Sequence, residues 1–453
     1  MTRVAPVLLL GLVAVSIGVA AAAAPFPAVV VAVVVLILAV AATHPAVVAP
    51  LLLLAAALFS RPNIFGESAA PVGLALAALA ASVALVSDKR SARGALQTGG
   101  AARIVVFLAL SYGAALLVQP PRTSGLIIAM VLCVGTTTSA VVVLRQPERR
   151  ALVAKGFILI VGGFALSYLI TAGGWLLFGT GWGEWGASDL GGTFYLPFTP
   201  TRGSFELLGL AVPRLAGLGR EPGWMGMYAA FAYFLAGKIG FDNRVVRALL
   251  LVGLIASFSS AALWVFVVFL AYDQFLRGDR SGLVRLVGMA AMVGGLWVAW
   301  NAPVIGVAEK FARDPYSVEA RLAATEAGVR ALLTSPFSGG RGTDVVGSVN
   351  LIASVASVGL AYSVLIICAL LAPRRGHPRR ITTTAPIGVL LLTLATTQPP
   401  LGSTWVYVCA AITYTATLPP AMPQCDHGQL GQTESLDATG AGLGRHAMRE
   451  APS

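Results

Sequence analysis

No aspartate or glutamate interrupts the long apolar runs of this chain. Ion-coupled carriers keep ionisable groups at that depth, so the absence argues against a proton-coupled transporter. Histidine is nearly missing as well. His44 and His377 fall on the side of the chain expected to face the cytoplasm, and His427 and His446 lie in the tail. Cysteine is sparse: Cys133, Cys368 and Cys409 sit in apolar runs and Cys425 in the tail, with no C-x-x-C spacing. Neither a disulfide framework nor a zinc site is indicated. There is no D-x-D-type pair in a large soluble domain where a nucleotide sugar and its metal would sit.

Charge is the largest deficit. Charged residues make up 11% of the 453 and hydrophobic ones 57%, with mean hydropathy +0.82; a soluble globular chain carries about 25% charge. Apolar runs of about 16–24 residues recur from Ala5 to Pro419, the length a bilayer core demands of a helix. The composition is that of an all-α, polytopic transmembrane bundle with one membrane domain, residues 1–419. Residues 420–453 lack apolar periodicity and are expected to form a disordered cytoplasmic tail. The first run ends in "VAAAAAPF", resembling a signal-peptide cleavage site, but its weak n-region and the span that follows favour an uncleaved helix.

The net charge of +12 comes from arginines clustered between apolar runs, with no aromatic-interleaved basic domain, so nucleic acid is not the expected partner. The clusters at 88–103, 145–155, 238–247, 277–285 and 373–380 are expected to face the cytoplasm. Successive clusters must then be separated by an even number of crossings. Ile104–Gln119 and Ser124–Leu144 form a hairpin turned at "PPRT". The run from Ala248 to Tyr272 must reverse near Ser259-Ser260. The sum is about 14 spans in the cell membrane, with both termini cytoplasmic.

Two long segments then fall outside, at about 179–221 and 302–348. Loops of that size usually carry function, and their Trp182, Trp185, Phe194, Tyr195, Phe198 and Phe311 are poor companions for disorder. Ser317–Leu333 has Val318, Leu322, Val329 and Leu333 at helical spacing and a Glu326–Arg330 pair, which predicts an amphipathic helix ended by Pro336 and Gly339-Gly340 and able to lie on the outer leaflet. Both loops break the positive-inside bias. Arg202, Arg214 and Arg220 occupy the first, and Lys310, Arg313, Arg321, Arg330 and Arg341 the second. Guanidinium forks bind phosphate bidentately, so a diphosphate at the membrane surface is the natural partner. Gly217 and its neighbours in "LAGLGREPG", with the glycines of "SGGRG", would let backbone N–H groups approach the same oxygens. The plainer alternative is that these arginines touch lipid headgroups and pair with local acids. Glu221-Pro222 has the form of a helix start, and a carboxylate there is a candidate base, with Asp344 the alternative.

The stretch "RLAGLGREPGWMGMYAAFAYFLA" resembles the O-antigen polymerase/O-antigen ligase family, in which an Arg-x-x-Gly element precedes an acid-Pro helix start. Arg321 in "EARLAATEAGVRALLTSPFSGGRG", the helix beginning "VNLIASVASVGL" and "TTQPPLGSTWVYVCAAI" extend the likeness over roughly Val212 to Ile412. "SFSSAALW" lacks the arginine of the family's middle element, and Val349-Asn350 lacks the histidine that ligases carry there; the "REP" form leans toward polymerase. The resemblance implies a GT-C-like fold and metal-independent, cofactor-free glycan transfer from a polyprenyl-diphosphate donor to an acceptor sugar hydroxyl on the outer face. Arg214, Arg220, Arg321, Arg341 and Gly217 would hold the diphosphate in one cavity, with Glu221 or Asp344 as base. A flippase and chain-length regulators would be protein partners. Ligase-type transfer, lipid or glycan transport, and a non-catalytic role in assembly remain alternatives.

Overall fold

A computed structural model describes residues 45–60, 69–87, 99–119, 123–179, 181–187, 192–207, 210–276, 281–301, 306, 308, 315–337, 349–371 and 385–416. The expected first spans, the tail, Arg341 and Asp344 lie outside the described residues. Helices dominate: α1 (Pro45–Phe59), α2 (Ala69–Ser87), α3 (Gly99–Val118), α4 (Thr123–Val143) and α5 (Pro147–Phe178) precede a sheet. After it come α6 (Pro222–Lys238), α7 (Arg244–Ala256), α8 (Ser260–Ala271), α9 (Gly282–Asn301), α10 (Pro315–Thr334), α11 (Leu351–Leu370), α12 (Ala385–Thr396) and α13 (Thr404–Ala416). By residue count and composition five of these, α2, α3, α4, α5 and α11, are long and apolar enough to cross a membrane, as in a multi-pass membrane protein, although α11 is not straight.

The first long loop is not irregular. It folds into a four-stranded antiparallel meander of β1 (Glu184–Ala187), β2 (Gly192–Tyr195), β3 (Thr199–Leu207) and β4 (Leu210–Leu215), in the order β1-β2-β3-β4. The all-helical expectation therefore needs this one addition. The sheet is seated on the last turns of α5 by buried hydroxyls. Thr199 Oγ1 lies 2.7 Å from Ser167 Oγ, Thr171 Oγ1 donates to the Leu196 carbonyl at 2.7 Å, and Tyr168 OH donates to the Pro213 carbonyl at 3.0 Å. Ser167 lies about 30 Å along α5 from its start at 1.5 Å per residue, close to the thickness of a bilayer core. The sheet thus marks one end of the bundle, called here the sheet side.

Helix directions follow from side-chain contacts. On α7, the Arg247 guanidinium stacks over Tyr233 at 5.1 Å, while Gly253 packs on Met225, so α7 is antiparallel to α6. On α8, Ala262 packs on Gly226, and Phe266 lies 5.1 Å from Tyr233 and 5.6 Å from Phe234, so α8 runs parallel to α6. The run from Ala248 to Tyr272 reverses at Ser257–Ser259, at the sheet side. Ser259 caps α8 by accepting from Ala262 N–H at 3.3 Å. Phe258 takes φ 44°, a left-handed conformation that costs a non-glycine residue about 1–2 kcal/mol. Two elements of the sheet clamp it: Phe205 of β3 stacks on its ring at 5.3 Å, and Arg214 of β4 donates to its carbonyl at 3.2 Å.

Helix α11 is broken at Gly359 (φ 82°, ψ 165°), which leaves an eight-residue half-helix, 351–358, folded back on the rest. Ser363 Oγ accordingly reaches the Leu351 carbonyl at 3.1 Å, a pairing that no straight helix permits. The amphipathic helix predicted at Ser317–Leu333 is α10. Ala324 and Gly328 are buried, Gly328 against Ile352 and Ala353 of α11, while Leu322, Val329, Leu333 and Phe337 are exposed.

Candidate functional site

A cavity of about 420 Å³ opens at the sheet side, where the ends of α3, α6 and α12 meet α10 and the half-helix of α11. Glu221 and Arg321 both line it, although 99 positions separate them in sequence. Each is delivered by a local device. Glu221 is the N-cap of α6, with Pro222 supplying the preset φ of a first helical residue. Its carboxylate makes no capping hydrogen bond, and the residue lines the cavity. Arg321 is carried by α10, and among the described residues its guanidinium has no hydrogen-bonded or ion-paired partner.

Arg214 completes the electrostatics from behind. Its Nε and Nη2 donate to the carbonyls of Ser257 (3.4 Å) and Phe258 (3.2 Å), so the fork is partly spent on holding the α7–α8 turn. Burial pulls its guanidinium below the ordinary arginine value, Glu221 acts to raise it, and Arg321 pulls it down further. Both residues thus lie within electrostatic reach of Arg214. Arg220 behaves differently. It lines a second cavity of about 360 Å³, and Pro399 and Leu401 line both. Adjacent residues of one turn therefore line two neighbouring cavities that share Pro399 and Leu401. Gly217 touches neither cavity. Its φ of 48° and close approach to Met225 make the turn that leads β4 into α6.

The expected meeting of four arginines thus resolves into three placements and one outside the description. Arg321 lies in the cavity, Arg214 lies within electrostatic reach of it, and Arg220 lies beside it. Arg341 and the alternative base Asp344 are outside the described residues. Among the described residues no three of His, Cys, Asp and Glu lie together in a metal-binding group.

Four polar residues of the cavity were missed in the sequence: Gln119, Ser357, Thr397 and Gln398. Gln119 Nε2 donates to the Ser357 carbonyl, bracing the break in α11. Gln398 is 6% exposed and crowds Gly223, where an added Cβ would lie 2.9 Å from its Nε2. A signal for both was present. The tripeptide Gln-Pro-Pro occurs at 119–121 and again at 398–400, each time closing an apolar run. Proline cannot continue a helix, so each glutamine is the last polar group before the chain turns away. Asn350 was noticed only for the histidine that does not precede it. It caps α11 by accepting from Ala353 N–H at 2.8 Å, and its Nδ2 reaches Thr325 Oγ1 of α10 (3.0 Å) and the Thr396 carbonyl of α12 (3.3 Å).

The arrangement offers one carboxylate, one guanidinium with no hydrogen-bonded or ion-paired partner among the described residues, a half-buried guanidinium near it and two amides in a partly enclosed space. Such a space can accept a proton, stabilise growing negative charge and orient neutral hydroxyl groups. No protein family, curated protein or solved structure matches the chain.

Proposed function

We propose that the protein polymerises lipid-linked surface polysaccharide repeat units, transferring glycan from a polyprenyl-diphosphate donor to an acceptor sugar hydroxyl at the outer face of the cell membrane. The observation that carries this reading is the pairing of Glu221 with Arg321 in one cavity at the sheet side, with Arg214 behind them. The acceptor oxygen attacks the anomeric carbon, and the bond from that carbon to the diphosphate oxygen breaks with its electron pair leaving on the diphosphate. The acceptor's proton passes to the Glu221 carboxylate. Charge grows on the leaving diphosphate, where Arg321 stabilises it as a fork and Arg214 adds to the field. Gln119 and Gln398 present neutral donors and acceptors suited to sugar hydroxyls.

The proposed architecture is a GT-C-like bundle of about 14 spans with both termini cytoplasmic. Charge distribution supports that orientation. Arg149, Arg150 and Lys155 at the start of α5, Lys238 at the end of α6 and Arg247 early in α7 gather at the end opposite the sheet. Flippase and chain-length regulator proteins are the partners such a reaction requires. One observation favours a second reading, lipid or glycan transport: α11 is a discontinuous helix, a device that transporters use beside their substrate sites.

Lipid-linked glycans recovered after deletion of the gene test the proposal. Accumulation of single repeats supports polymerisation. Full-length chains left on the carrier indicate a ligase, and glycan retained on the inner leaflet with a depleted outer-leaflet pool indicates transport.

A further inference from the structure

The neutral polar residues of the reaction cavity are not equally able to meet a ligand. Gln119 donates to the Ser357 carbonyl, Ser357 Oγ to the Ser354 carbonyl at 3.1 Å, and Thr397 Oγ1 to the Thr393 carbonyl at 3.2 Å. A hydroxyl has one proton, so Ser357 and Thr397 can only accept from an occupant. Gln398 differs. It is buried and lines the cavity, yet among the described residues its side-chain amide has no hydrogen-bond partner. A buried amide disfavours the fold unless something bonds to it, so this side chain points to a ligand.

A glycine keeps room for that amide. A Cβ at Gly223, in the first turn of α6, would lie 2.9 Å from Gln398 Nε2. The amide therefore lies against the turn that begins at Glu221, two residues earlier. Opposite charges border the same space. Glu221 and Arg321 both line it, so a charged substituent of either sign meets a like charge, and a neutral polar one meets none. The rest of the lining is apolar: Leu126, Val349, Val358, Pro399 and Leu401.

We infer that Gln398 selects the acceptor sugar, by donating from Nε2 to the carbonyl of an acetamido group on that ring. The inference rests on the glycan-transfer reading of the cavity and names the acceptor's class. An acetamido group is neutral, so neither Glu221 nor Arg321 repels it. Its N–H suits the hydroxyl oxygens of Ser357 and Thr397, which can only accept. Its methyl suits the apolar lining, which a bare hydroxyl leaves unfilled. Held this way, the ring sits beside the Glu221 carboxylate that takes the proton of the attacking hydroxyl.

Saturation-transfer NMR on the full-length protein in nanodiscs tests it. The probes are the methyl glycosides of N-acetylglucosamine, N-acetylgalactosamine and N-acetylmannosamine, each titrated beside its parent hexose glycoside. The acetamido sugar of the fitting epimer should bind about twentyfold tighter than its parent, about fivefold from a hydrogen bond and about fourfold from a buried methyl. Saturation should be strongest at the acetyl methyl. Gln398→Glu removes the donor and should cut the preference to about fourfold or less. Gly223→Ala is favoured in a helix and displaces Nε2, so it should cut the preference as far without harming the fold. No preference in any of the three pairs, or a preference of wild-type size in either variant, would overturn the inference. Lipid-linked glycans from the deletion strain are scored alongside. Single repeats accumulating there, with no acetamido preference in the protein, would sink the inference alone. An acetamido preference without such accumulation would sink the proposed polymerisation and leave the acetamido site.

Discussion

Asn350 joins three elements through one side chain, and its replacement should separate stability from function. In Asn350→Ala the cap on α11 disappears, which costs about 1 kcal/mol. The bonds to Thr325 and Thr396 disappear too, at about 1 kcal/mol each, since Asn350 is only 4% exposed and water does not replace them fully. The expected loss is about 3 kcal/mol of unfolding free energy, measured by denaturant titration in micelles. Asn350→Asp keeps an acceptor for Ala353 N–H and places a negative charge at a helix N-terminus, so the cap survives. It has no donor for Thr325 or Thr396, so about 2 kcal/mol of the loss should remain. Both variants should impair glycan transfer more than stability implies. Among the described elements, α10 packs substantially on α11 alone, and Thr325, whose hydroxyl donates to the Arg321 carbonyl at 2.8 Å, is the point where Asn350 holds it. Releasing that point frees Arg321 to leave the cavity. An Ala variant within about 0.5 kcal/mol of wild type, or an Asp variant less stable than Ala, would refute the division between cap and bridge.

Arg321→Ala should lower glycan transfer about 10²–10³-fold without loss of membrane insertion, and Arg321→Lys should recover little, because a point charge replaces a fork. Glu221→Gln should lower transfer about 10²–10⁴-fold; near-normal polymer in that variant would move the base elsewhere. Gly217→Ala should destabilise the fold by about 1–2 kcal/mol, since a side chain there must adopt φ 48° beside Met225, and unchanged unfolding would contradict the turn geometry. Cysteines placed at Trp185 and Phe311 should label from outside with an impermeant reagent, and one at Asp279 should not. Outside labelling at 279 would break the charge-based topology.

Composition and charge placement carried a good deal of this protein. Apolar length dictates helices because a bilayer core leaves no other partner for backbone N–H and carbonyl groups. Arginine clusters, through parity, required the run at Ala248–Tyr272 to turn back, and Ser259 supplies the cap that lets α8 begin there. Glu221-Pro222 announced the start of α6, since proline and an N-terminal acid are local signals. Other features had no local signal. The meander at Glu184–Leu215 depends on pairing between strands and on hydroxyls of α5 beneath it, so the segment looked like a loop with many aromatics. The break at Gly359 was hidden inside an unbroken apolar run, because it is stabilised by Gln119 and Ser363, groups that reach it only in the folded chain. The division of labour between Arg220 and Glu221 is likewise tertiary. Arg220 and the N-cap Glu221 line different cavities, and Pro399 and Leu401, which line both, come from nearly 180 residues away.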